Sequence, residues 1–253
     1  GAGPAGLEAA RVAAERGHSV TLYEKKGSVG GLLEFANNVK GPHENLSVLR
    51  SYFERQMEVL GVNVMLNTEA TADIIAEASP DIVIAATGGV RDTLGLSDTA
   101  GTKVVGIDDF MMADIAEEVV IVGSNVQAID AAMYLLAQGK HVQVVTPNAA
   151  SAIGAGHSFW VKTFTQPNMK ALGVRFWPEA TVTAVNDGSV TVKTATGIEQ
   201  EIACGTVVEA LDCLPNDNLS TGLSCEVVTV GDAARPFNIG EAICSGNAAA
   251  RAI

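Results

Sequence analysis

The sequence predicts an α/β fold, and three observations carry that prediction. The chain opens on a glycine-rich turn, Gly1-Ala2-Gly3-Pro4-Ala5-Gly6, which leads into a small-residue apolar helix from Leu7. An apolar strand, 19–23, then ends at Glu24, about 20 residues on from the turn. A second strand–turn–helix–strand unit repeats this layout from Glu118 to Pro147. Both units are Rossmann-like, a parallel sheet flanked by helices.

In the first unit each part has a physical task. Gly1 permits the tight turn, Gly3 lets a pyrophosphate come close to the backbone, and Gly6 lets the helix pack on the sheet. The helix N-terminus offers N–H groups and the positive end of a dipole to phosphates. Glu24 accepts hydrogen bonds from ribose hydroxyls. A glycine turn without a ligand would leave the placement of Glu24 as coincidence. The candidate cofactor-binding residues here are Gly1, Gly3, Pro4, Ala5, Gly6, Glu24 and Lys25. A parallel sheet around this turn needs an apolar strand ahead of Gly1, so the chain reads as a segment of a longer protein. Its last residues, 248–253, read as a helix stopped in mid-run.

Further on, Gly30-Gly31-Leu32 suits a loop crossing close to a ligand. Leu46, Leu49, Phe53, Met57 and Leu60 recur at helical spacing, which predicts an amphipathic helix over 45–60 that Gly61 stops. A strand follows at 62–66. Another, 81–86, runs into Ala86-Thr87-Gly88, where backbone can approach a cofactor. Residues 90–117 read as a connector.

The second unit has altered chemistry. After strand 118–122 come Gly123, Ser124 and Asn125, then a helix over 126–138 and a strand over 141–145 ending at Thr146. Asn125 stands where the middle glycine would be, Ala128 where the third would be, and Thr146 where the acid would be. Thr146 would not repel a 2′-phosphate, and Lys140 and His141 are possible helpers there. From Gly173 the pattern predicts a meander of hairpins: 174–176, 180–185, 190–192 and 206–208. A strand over 227–230 delivers Gly231-Asp232-Ala233, and a helix follows from about Ile239.

The 253 residues are 47% apolar, enough for a sizeable core in one large or two ordinary domains. A net charge of −13 argues against nucleic acid and anionic membranes as partners. No apolar run approaches the roughly 18 residues of a membrane span. Cys204, Cys213, Cys225 and Cys244 form no C-x-x-C, which argues against a redox dithiol, a zinc site or an iron–sulfur site. They are expected to be buried or semi-buried thiols in a reducing cytoplasm. His18, His43, His141 and His157 stand isolated, and no residue has the spacing of a catalytic or metal-binding set.

Taken together, these motifs resemble the glutathione-reductase-type flavoproteins with two dinucleotide-binding domains. The matching residues are the Gly1–Gly6 turn, Glu24, Gly30-Gly31, Ala86-Thr87-Gly88, the Gly123 unit, Pro215-Asn216 and Gly231-Asp232-Ala233. The resemblance implies an FAD (or ADP) domain of residues 1–112 plus 213–253. It implies an NAD(P)H-binding-like domain, 113–212, inserted in it. Asp232 would bond the ribityl chain of FAD and Glu24 the adenosine ribose.

Within that group the stretches 6–25 and 231–253 resemble the C-terminal part of the multidomain NADH:flavin oxidoreductases. These include 2,4-dienoyl-CoA reductase, 2-enoate reductases and trimethylamine dehydrogenase. The resemblance implies that NAD(P)H reduces FAD here. Electrons would then pass to an N-terminal FMN barrel with a 4Fe-4S cluster, which reduces an activated C=C bond. The sequence departs from the pattern at Leu32, Asn125, Thr146 and Asp212. Two other functions stay open: the ADP-binding region of an amine dehydrogenase with a redundant second site, and a non-catalytic nucleotide-binding scaffold for docking.

Overall fold

A computed structural model describes residues 1–41, 44–216, 218–219 and 223–253; His43 lies outside them. The chain divides into unit 1, Gly1–Arg91 with Cys213–Ile253, and unit 2, Asp92–Asp212.

Unit 1 begins with α1 (Pro4–Glu15), where Pro at the first helical position and a run of alanines favour helix. Its face of Leu7, Ala9, Ala10, Val12 and Ala13 is buried. Next come β1 (Thr21–Tyr23), α2 (Leu33–Lys40), α3 (Leu46–Val59) and β2 (Asn63–Met65). β1 and β2 pair in parallel. Of the apolar stripe on α3, Phe53 and Met57 are fully buried in the cluster around Leu7 and Leu22. α4 (Ala72–Ala78) starts where the Thr71 side chain accepts from the Ile74 N–H. β3 (Ile82–Ala85) and the short β4 (Val90–Arg91) close this part.

Unit 2 is a five-stranded parallel sheet with a separate meander on it. Its strands are β5 (Lys103–Gly106), β6 (Glu118–Val122), β7 (His141–Val145) and β8 (Arg175–Trp177), with β12 (Thr206–Glu209) between β5 and β6. α5 (Val126–Ala137) joins β6 to β7, and α6 (Phe159–Ala171) joins β7 to β8. The meander is β9 (Ala180–Asn186), β10 (Ser189–Thr194) and β11 (Glu199–Ala203). Val182, Val190, Val192 and Ile202 pack with Val120, Val122, Val145 and Val207 of the sheet.

The chain then returns to unit 1. β13 (Cys213–Leu214) pairs with β4, and β14 (Glu226–Thr229) pairs in parallel with β3. α7 (Ile239–Ala252) starts under an Asn238 cap and lies against α1. An added Cβ at Gly246 would run into the Ala5 carbonyl oxygen, so these helices meet backbone to side.

Several expectations need correction. The expected hairpin strands at 174–176 and 206–208 belong to the parallel sheet instead, and β11 completes the meander. β5 lies inside the expected connector; it is a short edge strand, exposed at both ends, and carries little pattern. α6 was not expected, because Pro167 sits inside it. Cys244 is exposed, whereas Cys204 is buried and its thiol is pushed up to about 11 by desolvation. His141 and His157 are not isolated: His141 bonds Glu118 at 2.7 Å, and His157 Nε2 lies 3.3 Å from Asp130 Oδ1. Among the described residues no helix is long and apolar enough to cross a membrane.

Candidate functional site: two glycine turns

In unit 1 the three glycines of the turn sit in different surroundings. A Cβ on Gly1 would meet the Ala86 carbonyl oxygen, and one on Gly6 would meet the Gly1 carbonyl oxygen and lie 3.1 Å from Ala86 Cβ. Both glycines therefore serve close packing. Gly3 is the N-cap of α1, with φ −77°, ψ −178° and no side-chain cap, and a Cβ there would meet nothing within 4 Å. The opening lies in front of the helix N-terminus. Pro4 has no N–H to leave unpaired, and Ala5 is buried behind it.

The loop 27–32 crosses this turn. The Gly30 N–H donates to Ala2 O at 2.7 Å, and a Cβ on Gly31 would stand 2.9 Å from Gly3 Cα. Leu32 is half-buried and is the N-cap of α2. Glu24 is 7% exposed; its Oε2 accepts from the Ala2 N–H and its Oε1 from the Lys26 N–H, each at 2.8 Å. A carboxylate has about four acceptor positions, so about two remain for a ligand. Lys25, next to Glu24, is exposed.

Ala86 and Gly231 pack against the same turn, at Gly1 and Ala5. Gly88, at φ 74°, has open space where a Cβ would be. Thr87 Oγ1 donates to Asn216 O at 3.1 Å, and the Asn216 N–H donates to Ala233 O. Asn216 Oδ1 is buried and has no hydrogen-bond partner among the described residues. Gly231, at φ 62°, packs its Cα against Ala5. Asp232 Oδ1 accepts from the Phe237 N–H at 3.3 Å, and burial raises its carboxyl above the ordinary value. Sequence reasoning missed Arg50 of α3, whose Cδ would lie 3.2 Å from a Cβ on Gly30. One basic residue in an amphipathic helix gives no sequence signal of its own.

Unit 2 repeats this arrangement, and further than its fingerprint shows. A Cβ on Gly123 would meet the Ala210 carbonyl oxygen, as one on Gly1 would meet that of Ala86. Gly154 N–H donates to Ser124 O at 2.6 Å, as Gly30 does to Ala2, and His157 N–H donates to Gly154 O as Leu33 does to Gly30. Thr146 Oγ1 accepts from the N–H two residues on, as Glu24 does. Asn125 has the backbone of Gly3, φ −72° and ψ −179°. Its side chain, however, is fully engaged. Oδ1 accepts from the Ala128 N–H at 2.9 Å, and Nδ2 lies 3.1 Å, 3.0 Å and 3.3 Å from Ala210 O, Leu211 O and Asp212 Oδ1. Lys140 and His141 do not assist at the Thr146 tip. They lie just before and at the start of β7, about 17 Å away at 3.3 Å per residue, and bond Ile115 O and Glu118.

These features define a class: an α/β protein with two dinucleotide-type turns, one open and one closed by side chains. The chain matches the family described as pyridine nucleotide-disulphide oxidoreductase over residues 1–232 and belongs to it. It is 37% identical over 147 residues to a cinnamate reductase of Clostridium sporogenes, covering 57% of this chain and 22% of that protein. It is 37% identical over 151 residues to an NADH oxidase of Thermoanaerobacter brockii, covering 57% and 23%. A solved 2-naphthoyl-CoA reductase superposes with TM-score 0.83 and 32% identity, covering 98% of this chain and 38% of that one. The chain thus corresponds to well under half of each relative.

The family's cofactors are FAD and NAD(P)H. The unit 1 turn fits a flavin dinucleotide: it has an uncapped helix N-terminus, open space at Gly3 and Gly88, and an orphaned Asn216 Oδ1. In the unit 2 turn Asn125 Oδ1 already takes the Ala128 N–H, a donor of the kind a pyrophosphate would use.

Proposed function

We propose that the chain is the FAD-binding, NAD(P)H-linked module of a larger flavoprotein of the enoate-reductase kind. In this reading electrons travel from NAD(P)H through FAD to an FMN/iron–sulfur portion of the same protein, which reduces an activated C=C bond. Bound FAD supplies hydride acceptance and one-electron transfer. The residues of this chain bind and orient: Gly3 and the first turn of α1 at the pyrophosphate, Glu24 at the adenosine ribose, Asp232 at the ribityl chain. The observation that carries the reading is the opening at Gly3, in front of an uncapped helix N-terminus, with the buried Glu24 carboxylate bonded to the Ala2 N–H of the same turn.

Flavin analysis of the purified full-length protein tests it. One FAD per chain released on denaturation, and its reduction by NADH or NADPH, is the expected result. A preparation with no adenine nucleotide would favour a docking scaffold. A second reading, the ADP-binding region of an amine dehydrogenase, is favoured by Asn125 blocking the second turn. ADP in place of FAD would support it.

A further inference from the structure

The two turns share one backbone but differ at two openings. In unit 1 the openings are at Gly3 and Gly88, where a Cβ would meet nothing within 4 Å. Counting from the shared contacts of Gly1 with Ala86 and Gly123 with Ala210, the unit 2 counterparts are Asn125 and Asp212. Their side chains meet, Asn125 Nδ2 to Asp212 Oδ1 at 3.3 Å.

We propose that Asn125 and Asp212 together plug the unit 2 turn against the pyrophosphate of a nicotinamide nucleotide, leaving unit 1 the one tight nucleotide site of the chain. Three effects act in the same direction. Asn125 Oδ1 holds the Ala128 N–H, a donor that helix N-termini otherwise present to phosphate. Two backbone carbonyls, of Ala210 and Leu211, hold the Asn125 amide in place, so it cannot turn aside without leaving them unpaired. The Asp212 carboxylate puts a negative charge beside the place a dianionic group would take. Ser124 is drawn into the same closure, its Oγ accepting from Asn148 Nδ2 at 3.0 Å.

The inference rests on the proposed function for unit 1, so the test reads the two units separately. Full-length holoprotein is titrated calorimetrically with NADH and with NADPH, and FAD content is measured in the same preparations. The wild type should bind either nucleotide weakly. Asp212→Asn keeps the helix cap and removes the charge, and should tighten binding. Asn125→Gly combined with Asp212→Gly should tighten it by roughly 10- to 100-fold, the worth of a recovered hydrogen bond to a charged group. A wild type that binds as tightly as the double variant overturns the plug and leaves the proposed function standing. Double-variant protein that is FAD-loaded yet binds neither nucleotide also overturns it. Loss of FAD, by contrast, reports on unit 1 and counts against the proposed function alone.

Discussion

Replacing Glu24 separates what this carboxylate does for the fold from what it does for a ligand. Both its oxygens already accept a backbone N–H, from Ala2 and Lys26 at 2.8 Å, and the residue is buried. Glu24→Gln must turn its amide NH₂ toward one of those two N–H groups. One charge-assisted bond is then lost and a donor is left facing a donor, a cost of about 1.5–3 kcal/mol in the unliganded protein. The remaining acceptor positions are the ones a ribose hydroxyl would use. Losing one ribose hydroxyl bond to a charged acceptor is worth about the same, so FAD and ADP affinity should each fall roughly 10- to 100-fold. Glu24→Ala should show the same affinity loss and leave both N–H groups unpaired, with a larger loss of stability. Denaturant unfolding of the apo-protein measures the first effect, and titration with FAD and ADP the second. Unchanged affinity for both ligands, at whatever stability, would refute the ribose assignment.

Further outcomes are expected at the turn, at Asp232 and in nucleotide choice. Gly3→Ala adds a methyl to open space in an extended backbone, so stability should stay within about 0.5 kcal/mol while FAD binding weakens; Gly6→Ala should destabilise the fold, because its Cβ meets the Gly1 carbonyl oxygen. Asp232→Ala should weaken FAD far more than ADP. Burial raises the Asp232 carboxyl above 3.8, so the folded protein holds this proton more tightly than the unfolded chain and loses stability as pH rises through the folded value. Asp232→Asn should therefore stabilise the apo-protein at neutral pH, an advantage that shrinks on acidification in denaturant titrations. Flavin reduction in the intact protein should not prefer NADH over NADPH, because the buried Thr146 carries no charge to repel a 2′-phosphate; a strong NADH preference would place the ribose contact elsewhere.

The two glycine turns, β6, α5, β7 and α7 were legible because each is a long periodic run bounded by glycine or a cap. Asn125 was legible as a departure from glycine, but its capping of α5 was not, since the sequence does not show which N–H a side chain will meet. The role of Asp212 was hidden for a related reason: it faces Asn125 only after β12 has crossed back beside β6. The likeness of Gly154 to Gly30 lies in hydrogen bonding, with no shared spelling around it. β8 and β12 were misread as hairpin partners because a three- or four-residue apolar run looks the same in a parallel sheet as in a meander.

The wedging of Ala5 has a consequence for the order of events in making this protein. Ala5, in the first turn of α1, is held between Gly231 and Gly246, where even a methyl on either glycine would collide with it. The amides that face the opening are thus fixed before any ligand arrives, and association need not wait on a rearrangement. That fixation depends on residues more than two hundred positions later in the chain. A ribosome-bound chain that has emerged only as far as unit 2 has the complete glycine fingerprint but not the clamp that sets its geometry. Flavin capture should therefore begin only once α7 has been synthesised and has docked. A chain truncated before Ile239 should keep its fingerprint and still fail to retain the cofactor.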